Sequence, residues 1–363
     1  MMKKAIIQLA GLLILSCLLP LLGYYGAQAA ATQDAEGTLR RFLTDAQGTG
    51  SYAEDSTALP PAATAAPDAS RAASGSSGTA APADSTVLVQ DTGSGVVMQV
   101  PLREYLIGSV ASEMPMTWPD AALQAQAVAS HTYVLYCKAH NNTQALGGAW
   151  LTADPARRQG FMTDTVLHSY WSTNYDANYA RLSALVDAVI GTTVVYQDEV
   201  AATSYFAISC GRTEASQNVW GTALPYLQGV DSSLDTQADS YETAVTYSSQ
   251  QMYDALVANL GIKPDGYAPE QYFSDYQYTD AGNVSQVNVC GTAVQGTVLR
   301  SALHLRSACF SISYAELTFT IVTHGYGHDV GMSQMGARMM AERGSTWQDI
   351  LQHYFPGTEL RES

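Results

Sequence analysis

Val96-Val-Met-Gln-Val100-Pro-Leu-Arg-Glu-Tyr-Leu-Ile-Gly-Ser-Val-Ala-Ser-Glu-Met114 carries two periodicities in one run. Its opening residues read as a strand, and Val87-Leu-Val89 across Gly93-Ser-Gly95 supplies the partner of a hairpin. Pro101 ends the second strand. From there Leu102, Tyr105, Leu106, Val110 and Met114 fall on one helical face. Trp118-Pro119 restarts the chain, proline suiting a first helical turn whose N–H groups have no partner within the helix. Ala-rich residues then continue a second helix to about His140. Glu113 thus stands at the junction of two helices, where a side chain can face a cleft.

Downstream, Thr192–Tyr196 and Ala201–Ala207 read as a hairpin around Asp198-Glu199, with further strands at Ser285–Val289 and Phe310–Val322. A helix over Ser333–Arg343 stops at Gly344, and Thr346–Tyr354 forms a shorter one ended by Pro356-Gly357. Strands and helices cluster rather than alternate. The expected class is therefore α+β, mixed helices and antiparallel strands forming a curved body with a substrate cleft.

Ahead of this body, Lys3 and Lys4 precede an apolar run from Ala5 to about Tyr25, a secretory or anchoring segment. Ala27-Gln-Ala29 offers small residues for cleavage, whereas the length of the run suits an anchor. Residues 31–84 are mostly Ala, Ser, Thr, Gly and Pro, too poor in large apolar groups to offset the entropy of ordering, and read as a disordered tether. The expected organisation is a segment at 1–30, a linker at 31–84 and a folded domain at 85–363. A formal net charge of −16 argues against nucleic acid as a partner, and a carbohydrate polymer, which needs no basic track, remains compatible with it.

The chemistry concentrates in His324-Gly-Tyr-Gly-His-Asp-Val-Gly-Met-Ser-Gln-Met-Gly-Ala337. Gly325, Gly327 and Gly331 permit close backbone approach, and His324, His328, Ser333 and Gln334 offer donors and acceptors suited to a hydroxyl- or amide-rich ligand. Read alone, the segment is otherwise a tight turn before a helix. With two other blocks it resembles the stage II sporulation protein D family, lytic transglycosylases acting on peptidoglycan during engulfment of the forespore. Those blocks are Val100 to Tyr133, containing Ser112-Glu-Met-Pro115, and Ser204-Tyr-Phe-Ala-Ile-Ser-Cys-Gly-Arg-Thr-Glu214 with Val219-Trp-Gly after it. The third block runs from Leu305-Arg-Ser307 through the glycine-histidine segment to His353-Tyr-Phe-Pro-Gly357.

The resemblance implies that Glu113 is the catalytic acid. Spacing alone would not choose it over Glu104 or Glu214. A glycosidic oxygen must be protonated near neutral pH, so the carboxyl needs apolar surroundings, and Met114, Pro115, Met116 and Trp118 supply a collar. Most glycoside hydrolases use a second carboxylate, but a lytic transglycosylase works with one. By the same resemblance Gln126, His131, Ser209, Gly211, Arg212, Thr213, Gly327 and the polar residues of the glycine segment contact glycan, with Arg212 suited to a muramic acid carboxylate. His131 stands where many relatives have arginine. The implied setting is a single N-terminal membrane pass with the catalytic domain outside the cytoplasm. The implied partners are a membrane-anchored amidase, stage II sporulation protein P, and stage II sporulation protein M.

The chemistry requires no cofactor, and a structural zinc on His131, Cys137 and His140 stands beside plain packing as an open reading. In one continuous helix Cys137 and His140 share a face and His131 points elsewhere, so a site requires the helix to end near Tyr136. Cys137, Cys210, Cys290 and Cys309 permit two disulfides without specifying a pairing. The rival functions are a non-catalytic wall-binding amidase enhancer, as some relatives are described, and a zinc hydrolase on His324 and His328. The second rival lacks an adjacent base, and Gly325 and Gly327 disfavour the helix it needs.

Overall fold

The computed structural model describes residues 85–362. The expected anchor at 1–30 and linker at 31–84 lie outside the described residues, and among those described no helix is long and apolar enough to cross a membrane.

The chain opens with the expected hairpin, β1 (Thr86–Asp91) against β2 (Val97–Pro101), antiparallel with Val89 opposite Met98. Helix α1 (Leu102–Glu113) begins directly after Pro101 and ends where Met114 turns extended, at φ −132° and ψ 140°. Helix α2 (Asp120–His140) follows, with Pro119 as its cap. Strand β3 (Leu151–Ala153) then pairs in parallel with β1, a departure from the all-antiparallel expectation. Two helices not anticipated from periodicity come next, α3 (Asp164–Trp171) and α4 (Tyr175–Asp187).

Strand β4 (Thr192–Tyr196) hairpins onto β5 (Glu199–Val200), a tighter turn than expected. Gln197 and Asp198 both have positive φ, the geometry of a two-residue loop whose twist matches the strands. Of the predicted strand at 201–207 only β6 (Tyr205–Phe206) is extended pairing, because its partner is the short segment Met332–Ser333 in parallel and not β4. A short helix α5 (Ser216–Trp220) completes this part.

Residues 242–324 form an inserted lobe. It leaves through β7 (Glu242–Ser248) and comprises α6 (Ser249–Leu260), β8 (Phe273–Tyr278), β9 (Val284–Val289), β10 (Thr292–Gln295), α7 (Gly296–Ala302) and β11 (Phe310–Ala315), returning on β12 (Thr318–His324). The predicted single run at 310–322 is therefore two strands, split by a turn with positive φ at Glu316 and Leu317. Outgoing and returning strands pair, His324 opposite Glu242, so the lobe enters and exits at one point. The chain then passes through β13 (Met332–Ser333) into α8 (Gln334–Glu342) and α9 (Trp347–Tyr354), and β14 (Glu359–Glu362) closes antiparallel on β4.

Two apolar cores result. The larger surrounds α2, which packs on α1, α4, β4, α8 and α9. Fully buried Leu106, Val110, Leu123 and Val128 join its helices, each side chain contributing roughly 1.5–3 kcal/mol of burial. The smaller core, built on Met252, Leu256, Val287, Leu299 and Phe319, belongs to the inserted lobe. An α+β class with chiefly antiparallel sheets is what the structure shows.

Candidate active site

Glu113 is the last residue of α1 and only 6% exposed. Its setting depends on Gly108, one turn back. A Cβ there would lie 2.2 Å from Met162 O and 2.6 Å from the Phe161 ring, so only glycine lets segment 160–162 lie against α1. That segment brings the backbone N–H of Gly160 to the Glu113 carboxyl. From the other side Gln334, first residue of α8, donates Nε2–H to Glu113 Oε2 at 3.1 Å and to Gln126 Oε1 at 3.3 Å. Gln126, wholly buried on α2, donates in turn to Ser130 Oγ at 3.1 Å, which accepts from Ser109 on α1.

Burial pushes the Glu113 pKa up to about 7, while the hydrogen bonds from Gln334 and Gly160 pull the other way. A position at a helix C-terminus works in the same direction as burial, since the negative end of the peptide dipoles disfavours a carboxylate there. Neither of the groups bonded to this carboxyl is a cation or a second carboxylate. Glu104, by contrast, is exposed in the first turn of α1. Glu214 is buried but enclosed by donors from Ala215, Asn218, Thr279 and Asn283. Burial and partnering thus separate three glutamates that spacing left equivalent.

Ser209 and Ser333 converge through a residue the sequence did not single out. Asp235, fully buried, accepts from Ser209 N at 2.6 Å and from Ser333 Oγ. Ser333 simultaneously caps α8 by accepting from Gly336 N, so Asp235 fixes the helix end that presents Gln334. Burial raises the Asp235 pKa to about 6. Nothing in its Ser- and Asp-rich turn distinguished it, because the pairing spans 98 positions. Gly211, at φ +109°, donates to Ser209 Oγ and shapes the same loop.

The remaining predicted contacts have other partners. Thr213 is fully buried and bonded to the backbone of Gln228 and Val230. Arg212 is exposed and rests on Gly229 O. His131 packs beneath β4 with Nδ1 3.3 Å from Thr192 O, its pKa lowered by burial to about 4, which leaves it neutral. His324 pairs with Glu242 at 3.0 Å at the stem of the inserted lobe. His328 lies between the rings of Phe206 and Trp220, accepts from Val330 N, and is held uncharged with a pKa lowered to about 3, chiefly by desolvation. Gly327, at φ +125° with Phe206 Cβ 2.6 Å from where its own Cβ would stand, lines with His328 a separate polar pocket. That pocket includes Glu214, Asn283 and Arg300.

The zinc reading does not fit these residues. Helix α2 runs unbroken to His140, whose Nδ1 is 2.9 Å from Tyr136 O and whose ring stacks on Tyr136. The Cys137 thiol is buried, with its pKa pushed up to about 12 by desolvation, opposite to what a metal-binding thiolate needs. Among the described residues no group of three or more His, Cys, Asp or Glu is arranged to hold a metal ion. His324 and His328, in their separate settings, form no pair either.

Among the described residues, fold and site together define a two-cored α+β protein in which a glycine-rich loop reaches across to hold the buried Glu113 carboxyl. Comparison with known proteins gives this class its family. A protein-family model described as "Stage II sporulation protein" matches residues 90–196. Stage II sporulation protein D of Bacillus subtilis strain 168 is 32% identical over 278 residues, covering 77% of this chain and 79% of the relative. The same protein of Bacillus amyloliquefaciens is 32% identical over 279 residues with the same coverage. The chain belongs to the stage II sporulation protein D family. A more distant likeness, 24% over 311 residues, is to a Bacillus subtilis protein named "Amidase enhancer", covering 70% of this chain and 40% of that protein.

Proposed function

We propose that the chain is a peptidoglycan lytic transglycosylase, cleaving the bond between N-acetylmuramic acid and N-acetylglucosamine in strands stripped of stem peptides. The observation that carries this reading is the Glu113 carboxyl, buried, held near a pKa of 7 and bonded to the glycine-rich segment through Gln334. In its protonated form Glu113 delivers its proton to the bridging oxygen as the bond to C1 breaks. The resulting carboxylate then removes the proton from the C6 hydroxyl of the muramic sugar while that oxygen closes on C1, leaving a 1,6-anhydro end. One carboxyl acts as acid and then base, in keeping with the lack of a second carboxylate among its bonded groups.

Gln334 Oε1 is buried without a hydrogen-bond partner, an acceptor suited to an acetamido N–H. Because Gln334 covers Glu113, substrate entry displaces the first turn of α8. Exposed Arg212 suits a lactyl carboxylate. No step uses a metal. An N-terminal anchor, a body outside the cytoplasm, and assembly with a membrane-anchored amidase and stage II sporulation protein M complete the proposal.

Digestion of purified denuded glycan with wild type and Glu113→Gln tests it. Anhydro-ended products from the wild type, lost in the variant, are the expected result. Equal product from both proteins overturns the role of Glu113, and product from neither supports the wall-binding amidase enhancer to which the distant relative's name points.

A further inference from the structure

Four cysteines lie among the described residues, and their surroundings divide them. Cys137 is buried and bonds to Tyr133 and Asn141, and Cys290 lies against Tyr272 O in the smaller core. Cys210 and Cys309 are instead electrostatic neighbours whose free thiols act on each other, although 99 positions separate them by number. One short segment sets both backbones. His324 N donates to Cys309 O at 2.9 Å, and Tyr326 exchanges hydrogen bonds with Ile208, two residues before Cys210. Tyr241 Oη fixes Cys210 further by donating to its carbonyl at 3.1 Å. Both cysteines are half-buried, so a small reagent can reach them.

We infer that Cys210 and Cys309 form a disulfide that ties the Ser209–Thr213 loop to the inserted lobe just ahead of β11. The requirement for an oxidising compartment rests on the export proposed above; the choice of pair does not. The order of events follows from the contacts. Cys309 accepts a hydrogen bond from Cys210, which holds its thiol below the ordinary value, and Cys210 is held above it. Cys309 therefore ionises first and attacks a donor disulfide R–S–S–R, forming a mixed disulfide and releasing one R–S⁻. Cys210 passes its proton to Asp329, whose Oδ2 lies 3.3 Å from its sulfur, and attacks the Cys309 sulfur, expelling the second R–S⁻. The two cysteine sulfurs are oxidised and the donor is reduced to two thiols. Asp329 can take that proton on Oδ2 because it is buried and desolvation raises its pKa to about 7.

Folded protein incubated with oxidised glutathione, then denatured in N-ethylmaleimide without reductant and peptide-mapped, provides the test. The expected map joins the Cys210 and Cys309 peptides and shows Cys137 and Cys290 alkylated. Cys309→Ser should leave Cys210 alkylated or glutathionylated and produce no other link. Reduction should lower the Tm of oxidised wild type by several degrees and leave Cys309→Ser unmoved. Alkylation of Cys210 in wild type, a link to any other cysteine, or a link whose reduction leaves Tm unchanged overturns the inference. Since the assay reads thiols and not glycan products, its failure is separable from failure of the transglycosylase reading.

Discussion

Glu113 and Glu214 are both buried glutamates, 6% and 3% exposed, yet they are built in opposite ways. Both oxygens of Glu214 are occupied. Oε1 accepts from Ala215 N and Asn218 Nδ2, and Oε2 from Thr279 Oγ1 and Asn283 Nδ2, two of these donors coming from the inserted lobe. Glu113 receives a side-chain bond from Gln334 and one backbone bond from Gly160. Four donors tie Glu214 in place as a structural joint, whereas two leave Glu113 a carboxyl that holds a proton near neutrality and can give it away. Burial marks both residues; the number of donors separates their uses.

The largest effects should follow that division. Glu113→Gln should lower the rate of glycan cleavage by roughly 10²- to 10⁴-fold, the range of a lost general acid, with a native circular dichroism spectrum. Glu214→Gln should do the reverse. Its amide places N–H groups against donors, costing about 1–3 kcal/mol in chemical denaturation, with the turnover of the folded fraction largely kept. A stability loss at Glu113 with an activity loss at Glu214 would break the comparison.

Stability against pH sharpens it. The folded pKa of Glu113, about 7, exceeds its ordinary 4.5, so between those values the native state binds more protons than the unfolded chain. Stability from this group is therefore full below about pH 4.5 and falls as pH rises to about 7. Glu113→Gln should be more stable than wild type at pH 8, by at most on the order of 3 kcal/mol, and lose that advantage at pH 4. Urea midpoints at the two pH values check this. Asp235→Ala should cost about 1–3 kcal/mol, because Ser209 N and the Ser333 hydroxyl, both bonded to Oδ2, then lose their shared acceptor. It should also lower turnover, since the loosened end of α8 carries Gln334.

Much of this arrangement was legible in the sequence where the governing contacts are local. The hairpin at β1 and β2, the break between α1 and α2, and the caps of α8 and α9 follow from Gly93-Ser-Gly95, Pro101, Pro119, Ser333 and Thr346, each acting within a few residues. The inserted lobe was not legible as a lobe. Its boundary is the pairing of Glu242 with His324, a contact across 82 positions that leaves no local signature. Asp235 was missed for the same reason. Gln334 was singled out by the polar chemistry of its segment and Gln126 by resemblance, but their bond to each other and that of Gln334 to Glu113 are tertiary. The zinc reading failed for a local reason: nothing ends α2 before His140, so the helix keeps His131 away from Cys137 and His140.

The smallest effect is the most diagnostic. Gln334 donates to the Glu113 carboxyl and so favours its charged form, opposing the burial that favours the proton. Gln334→Ala removes that donor and should raise the Glu113 pKa further, moving the high-pH decline of kcat/KM upward by less than about one unit. The direction matters more than the size. If Gln334 only supported the fold, its loss would scale activity at every pH and leave the decline where it was. If it only bound substrate, KM would rise with the profile unshifted. A decline that moves to higher pH in Gln334→Ala, and stays in place in Glu214→Gln, would assign the titrating acid to the end of α1 and show that the glycine-rich loop tunes it across 221 positions of sequence.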